Sequence, residues 1–132
     1  MKTIIKAVVN PTEDRDKVEK AIRNIFPALK ISEIEDGRIL VGEGEGKETL
    51  EEFRLLLRSQ RIRDSARTLL ISSLKGTELS FKLNKQAAFM GAINFVESND
   101  YSYLGSIEVT VKDVDVEFIE WLTSKNGGKE GG

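Results

Sequence analysis

Apolar and polar positions alternate along much of this chain, and where the alternation stops the apolar residues recur at helical spacing. Residues 3–9, from Thr3 to Val9, read as a strand apolar on both faces, which predicts a central place in a sheet. Pro11-Thr12 ends it, with Thr12 as the expected N-cap of a helix and Glu13 and Asp14 in the first turn, where the helix dipole favours acids. Val18, Ala21, Ile22 and Ile25 then recur on one helical face, and Pro27 closes that helix. Runs at 30–35 and 38–43 flank Asp36-Gly37, a hairpin signal. Gly42, Gly44 and Gly46 follow, alternating with Glu43 and Glu45, and read as a mobile loop. The carboxylates would repel a phosphate, which weighs against a nucleotide cradle.

From 47 to 73 the pattern is helical, with Leu50, Phe53 and Leu57 as one stripe and Ile62, Ala66, Leu69 and Leu70 as another. The phase shifts near Ser59-Gln60, so two helices or one bent helix are expected. Gly76 marks a turn. Residues 77–83 form a strand with Leu79, Phe81 and Leu83 inward and Ser80 and Lys82 outward. Asn84 is then the expected cap of a short helix ended by Gly91. Residues 92–97 read as a strand, 98–105 as a loop, Ile107, Val109 and Val111 as a further strand, and Val114, Phe118, Trp121 and Leu122 as a C-terminal helix. This order predicts an α+β two-layer sandwich, a mixed sheet with helices packed on one face, in one domain over 1–123. The other face would carry Lys82, Asn94, Thr110 and Lys112. The Gly-rich stretch 124–132 is expected to be a disordered tail.

Composition narrows the chemistry. The 132 residues contain no cysteine and no histidine, which excludes disulfides, thiolate nucleophiles, sulfur-bound metal and histidine-based acid–base work. No carboxylate pair stands out, so the expectation is a non-enzyme without cofactor or metal. No apolar run approaches the roughly 20 residues of a membrane span, and a cytoplasmic protein is expected. Charged residues make up 32%, which together with the missing Cys and His fits a thermophile source. The net charge of −2 means that any nucleic-acid role must rest on a local patch.

Such a patch is visible. Arg54, Arg58, Arg61, Arg63 and Arg67 fall within 14 residues, opposed there by Asp64. Spacings of four and three bring Arg54, Arg58 and Arg61 within about 60° on one helical face, and Arg63 and Arg67 share another. Guanidinium forks suit phosphates, since each can donate two parallel hydrogen bonds. The alternatives are a solvated face neutralised by the eight acids between residues 33 and 52, which weighs first, or a protein interface. Lys85 at a helix start opposes the dipole and with free amides could hold an anion; the alternative is that it reaches water. Tyr101 and Tyr103 could stack on bases, whereas Trp121 shares helical spacing with Phe118 and reads as core.

The segments SQRIRDSAR (59–67), FKLNKQAAFMG (81–91) and LGSIEVTV (104–111), followed by Trp121-Leu122, resemble an archaeal family of small uncharacterised proteins. That family is related to predicted RNA-binding, exosome-associated proteins. The resemblance implies a two-layer fold like that of the large-subunit ribosomal protein that binds the small ribosomal RNA. It maps Arg58, Gln60, Arg61, Asn84, Lys85 and Gln86 as positions of interest. The reading is therefore an RNA-binding or ribonucleoprotein-associated domain. Arg54, Arg58, Arg61 and Lys85 would contact phosphates, with Arg63 and Arg67 beside them, and Asn84 and Gln86 would orient the loop or read a base. The alternative is a protein-interaction module, for example a homodimer.

Overall fold

The computed structural model describes residues 1–96 and 105–124. Six strands, β1 (Lys2–Val8), β2 (Lys30–Ile34), β3 (Ile39–Glu45), β4 (Leu74–Lys75), β5 (Glu78–Asn84) and β6 (Ser106–Lys112), pair in the order β2-β3-β1-β6-β5-β4. The helices are α1 (Arg15–Ile25), α2 (Glu51–Ser59), α3 (Arg63–Ser73), α4 (Lys85–Phe89) and α5 (Val116–Leu122), with a 3-10 turn over Lys47–Leu50 before α2. The α+β class and the two layers are as expected. The sheet is antiparallel throughout rather than mixed, because each pair of neighbouring strands runs in opposite directions.

Alternation decides the faces. Thr3, Ile5, Ala7, Leu40, Leu79, Phe81, Leu83, Ile107, Val109 and Val111 point to the helices and are buried. Phe26, Phe53 and Phe81 stack at centroid distances of 5.8 and 5.3 Å, and Phe95 meets the last two edge-on. On the opposite face, pairing puts Lys82 beside Glu108, Thr110 between Ile4 and Ser80, and Lys112 between Lys2 and Glu78, as the alternation predicts. Asn94 is exposed but lies outside the sheet.

Three local expectations are corrected, whereas the hairpin at Asp36-Gly37 forms as expected between β2 and β3. The cap of α1 is Asp14, whose carboxylate accepts from the Asp16 amide at 2.9 Å; Thr12 lies two residues too early. Gly42 and Gly44 belong to β3 and are not a loop. A Cβ on Gly42 would stand 2.7 Å from Ile5 Cγ1, and one on Gly44 2.7 Å from Thr49 Cγ2 and 2.8 Å from Leu29 Cδ2, so the absent side chains admit close packing rather than mobility. In the hairpin, Glu35 and Asp36 as well as Gly37 take positive φ. Residues 92–96 form a strap rather than a strand: the Asn84 amide donates to the Asn94 carbonyl, the Val96 amide donates to the Lys82 carbonyl, and Leu83 and Phe95 make one isolated bridge. β4 is two residues long, and the strap takes the edge of β5 beyond it. Tyr101, Tyr103 and nearly all of the Gly-rich tail lie outside the described residues.

Candidate nucleic-acid interface

The five arginines of 54–67 do not form one surface. Arg54 is 4% exposed. Its Nε donates to the Trp121 carbonyl at 3.0 Å, Nη1 to Glu51 Oε2 at 3.2 Å and Nη2 to Ser124 Oγ at 3.4 Å, and the guanidinium carbon lies 4.8 Å from the centre of the Trp121 ring. Trp121 is in the last turn of α5, whose carbonyls have no partner within the helix. Arg54 supplies one, and so fastens α2 to α5. Helical spacing groups it with Arg58 and Arg61 on one face, but packing against α5 buries Arg54 while Arg58 stays exposed, and Arg61 lies past the end of α2.

Arg67 is exposed and grips Glu120 of α5 through Nε and Nη2. The hydrogen bond from Arg67 holds the Glu120 carboxyl below the usual carboxylate range, and Glu120 raises Arg67 in turn. The neutralising acid comes from 53 residues downstream rather than from the acids before α2.

Arg58, Arg61 and Arg63 remain. Arg58 and Arg61 are exposed and Arg63 half-buried, and among the described residues none of the three makes an ion pair. They stand at the corner between α2 and α3. The corner is a Schellman-type ending: the Arg61 amide donates to the Arg58 carbonyl and the Ile62 amide to the Leu57 carbonyl. Arg61 takes the left-handed position, φ 60°, that glycine usually fills. Ile62 precedes α3 without a side-chain cap, and Arg63 opens that helix where the dipole disfavours a cation. Three local preferences are therefore broken within three residues.

Gln60 braces this corner. Its Nε2 donates to the Ile93 carbonyl at 3.2 Å, and its Oε1 accepts from the Ile93 amide at 2.8 Å. Both polar groups of one strap residue are thus satisfied by one side chain. A lone glutamine after a helix carries no sequence signal for that role; it was marked only by the family resemblance.

The LNKQAA segment divides in the same way. Asn84 caps α4 as expected, accepting from the Ala87 amide at 2.8 Å. Lys85 is buried and does not reach water or an external anion. Its Nζ donates to the Val8 carbonyl at 2.7 Å and to Glu13 Oε1 at 2.9 Å, and Glu13 Oε1 also accepts from the Asn10 amide at 2.9 Å. The apparent dipole misfit is thereby resolved: the ammonium points away from the start of α4 into the loop after β1. Gln86 is exposed and borders, with Thr12, Lys17, Phe89 and Met90, a cleft of roughly 520 Å³ between α1 and α4. Asn24, unmarked by the sequence, closes the other end of α4 by donating to the Ala88 and Phe89 carbonyls, both at 3.0 Å. No group of acids that could hold a metal ion occurs among the described residues, and no helix there is long and apolar enough to cross a membrane.

A family model described as RNA binding matches residues 2–112. The chain is 43% identical over 127 residues to a UPF0201 protein of Sulfolobus acidocaldarius, covering 94% of this chain and 88% of that one. Among solved structures it is similar to an uncharacterised UPF0201 protein, with a TM-score of 0.82, 34% identity and 98% of each chain covered. It is also similar to the UPF0201 protein of Methanococcus jannaschii, with a TM-score of 0.78, 38% identity and coverage of 96% and 97%.

Proposed function

Since this chain belongs to the UPF0201 family and matches an RNA-binding family model over residues 2–112, we propose that it is a non-enzymatic, cytoplasmic RNA-binding protein whose contact surface is the α2–α3 corner. The observation that carries the reading is the set of three arginines, Arg58, Arg61 and Arg63, without acidic partners among the described residues. Phosphate is the complementary group, because an unclasped guanidinium offers paired donors and a permanent charge. Broken local preferences tend to collect where a protein trades stability for function, and this corner holds three. Association with a ribonucleoprotein such as the exosome is supported by the sequence resemblance, and Asn84 serves that surface by fixing the strap and α4 rather than by touching RNA.

The test is RNA affinity across a salt series, for the natural chain and for Arg58→Gln with Arg61→Gln and Arg63→Gln. Removing three phosphate contacts should lower the magnitude of the log–log salt slope by about 2, at roughly 0.7 for each contact on single strands. Absence of binding at low salt, or a slope untouched by the triple substitution, refutes the assignment. These side chains are at least partly exposed, so the fold should survive their exchange.

Self-association is the second reading. The sheet face away from the helices exposes Ile34 at 44% and leaves Ile4, Val8, Ile39 and Val41 half-buried, and β2 has a free edge. A monomeric mass by light scattering at high concentration removes this reading.

A further inference from the structure

The corner that carries Arg58, Arg61 and Arg63 is held from two sides. Its own backbone closes the end of α2 through the Arg61 and Ile62 amides, and Gln60 bonds both the amide and the carbonyl of Ile93. Ile93 is itself buried, and the strap residues after it are hydrogen-bonded to β5. The three charges are therefore mounted on a backbone that is already in place. Fixed charges favour a partner whose phosphates are also fixed, because a flexible strand must lose conformational freedom to meet them.

The neighbouring rings are engaged elsewhere. Among the described residues, Phe26, Phe53 and Phe81 are stacked in the core, Phe95 packs edge-on against them, and the Trp121 ring lies under Arg54 and Lys47. Binding of single strands draws much of its strength from bases stacked on exposed rings, whereas duplex RNA is held through its shape, its phosphates and its 2′-hydroxyls.

Resting on the RNA reading above, we infer that the α2–α3 corner takes the phosphate backbone of base-paired RNA and that Gln60 positions the arginines for it. With the arginines committed to phosphates, recognition is by shape and indifferent to sequence.

The experiment compares a blunt RNA duplex, an unstructured pyrimidine RNA of the same number of phosphates, and a DNA duplex of the same sequence, all at one salt concentration. The RNA duplex should bind on the order of tenfold tighter than the single strand. Arg58→Gln with Arg63→Gln should abolish that preference. Gln60→Ala keeps every charge, and should weaken the duplex severalfold while leaving the single strand nearly unchanged; circular dichroism checks that this variant is folded. A single strand binding as tightly as the duplex overturns the inference but leaves the RNA reading intact. Loss of duplex binding in Tyr101→Ala with Tyr103→Ala, with the arginine variant binding normally, overturns both the inference and the assignment of RNA contact to this corner. Failure of all three nucleic acids to bind at low salt defeats the RNA reading itself.

Discussion

Replacing Lys85 by methionine should destabilise the protein by about 2–4 kcal/mol, the range for removing one partner of a buried charged network. The ammonium is nearly out of solvent and joins the Val8 carbonyl at the end of β1 to Glu13 ahead of α1. Methionine fills a similar volume but takes the ammonium from the Val8 carbonyl and leaves the Glu13 carboxylate with the Asn10 amide but without its cation. For a chain of this size the midpoint of thermal unfolding should fall by roughly 10 °C. Glu13→Gln retains an acceptor and should cost less. In Lys85→Met with Glu13→Gln the two losses should sum to more than the observed effect, because no charge is left behind. Unfolding in denaturant measures all three. A Lys85→Met protein within about 0.5 kcal/mol of the natural chain, the range of ordinary surface exchanges, contradicts a structural role for this lysine. RNA affinity of the folded variant should be unchanged, which separates Lys85 from the arginine corner.

Arg54→Ala should cost about 2–3 kcal/mol, from lost contact with the Trp121 ring and loss of the guanidinium's hydrogen bonds to the Trp121 carbonyl, which keeps the Ser124 amide at 3.3 Å, and to Glu51. Arg54→Lys should recover little, since a single ammonium cannot reach the Trp121 carbonyl, Glu51 and Ser124 in the fan that the planar guanidinium spans. The chain has one tryptophan, so its fluorescence reports on this contact in the native state. Both variants should show an altered native spectrum. A spectrum and stability unchanged in Arg54→Ala would mean that the side chain is free, and would return it to the solvent-facing cluster.

Sequence periodicity is informative where its consequences are local. Alternation in β1, β5 and β6 assigns each residue to a face, because a strand has only two and one of them is buried. The phase break at Ser59-Gln60 locates the α2–α3 corner, since an uninterrupted helix would carry its stripe off the core. Asn84 is legible as a cap because the side chain bonds an amide three residues away, entirely within local sequence. The glycines of β3 misled for the opposite reason: what they accommodate are Ile5, Leu29 and Thr49, which lie elsewhere along the chain.

Charge is where local reading fails. Arg54, Arg58, Arg61, Arg63, Arg67 and Lys85 are equivalent as letters, each a cation on or beside a helix. The sequence by itself determined the two layers, the alternating faces and the presence of a basic segment, because these follow from spacings of two to four residues. Only the tertiary structure decided which cations face outward: Trp121 and Ser124 draw in Arg54, Glu120 holds Arg67, and Glu13 with Val8 encloses Lys85. Those partners are between 53 and 77 residues away. Ion pairing depends on distance in space, which the fold creates and periodicity does not encode.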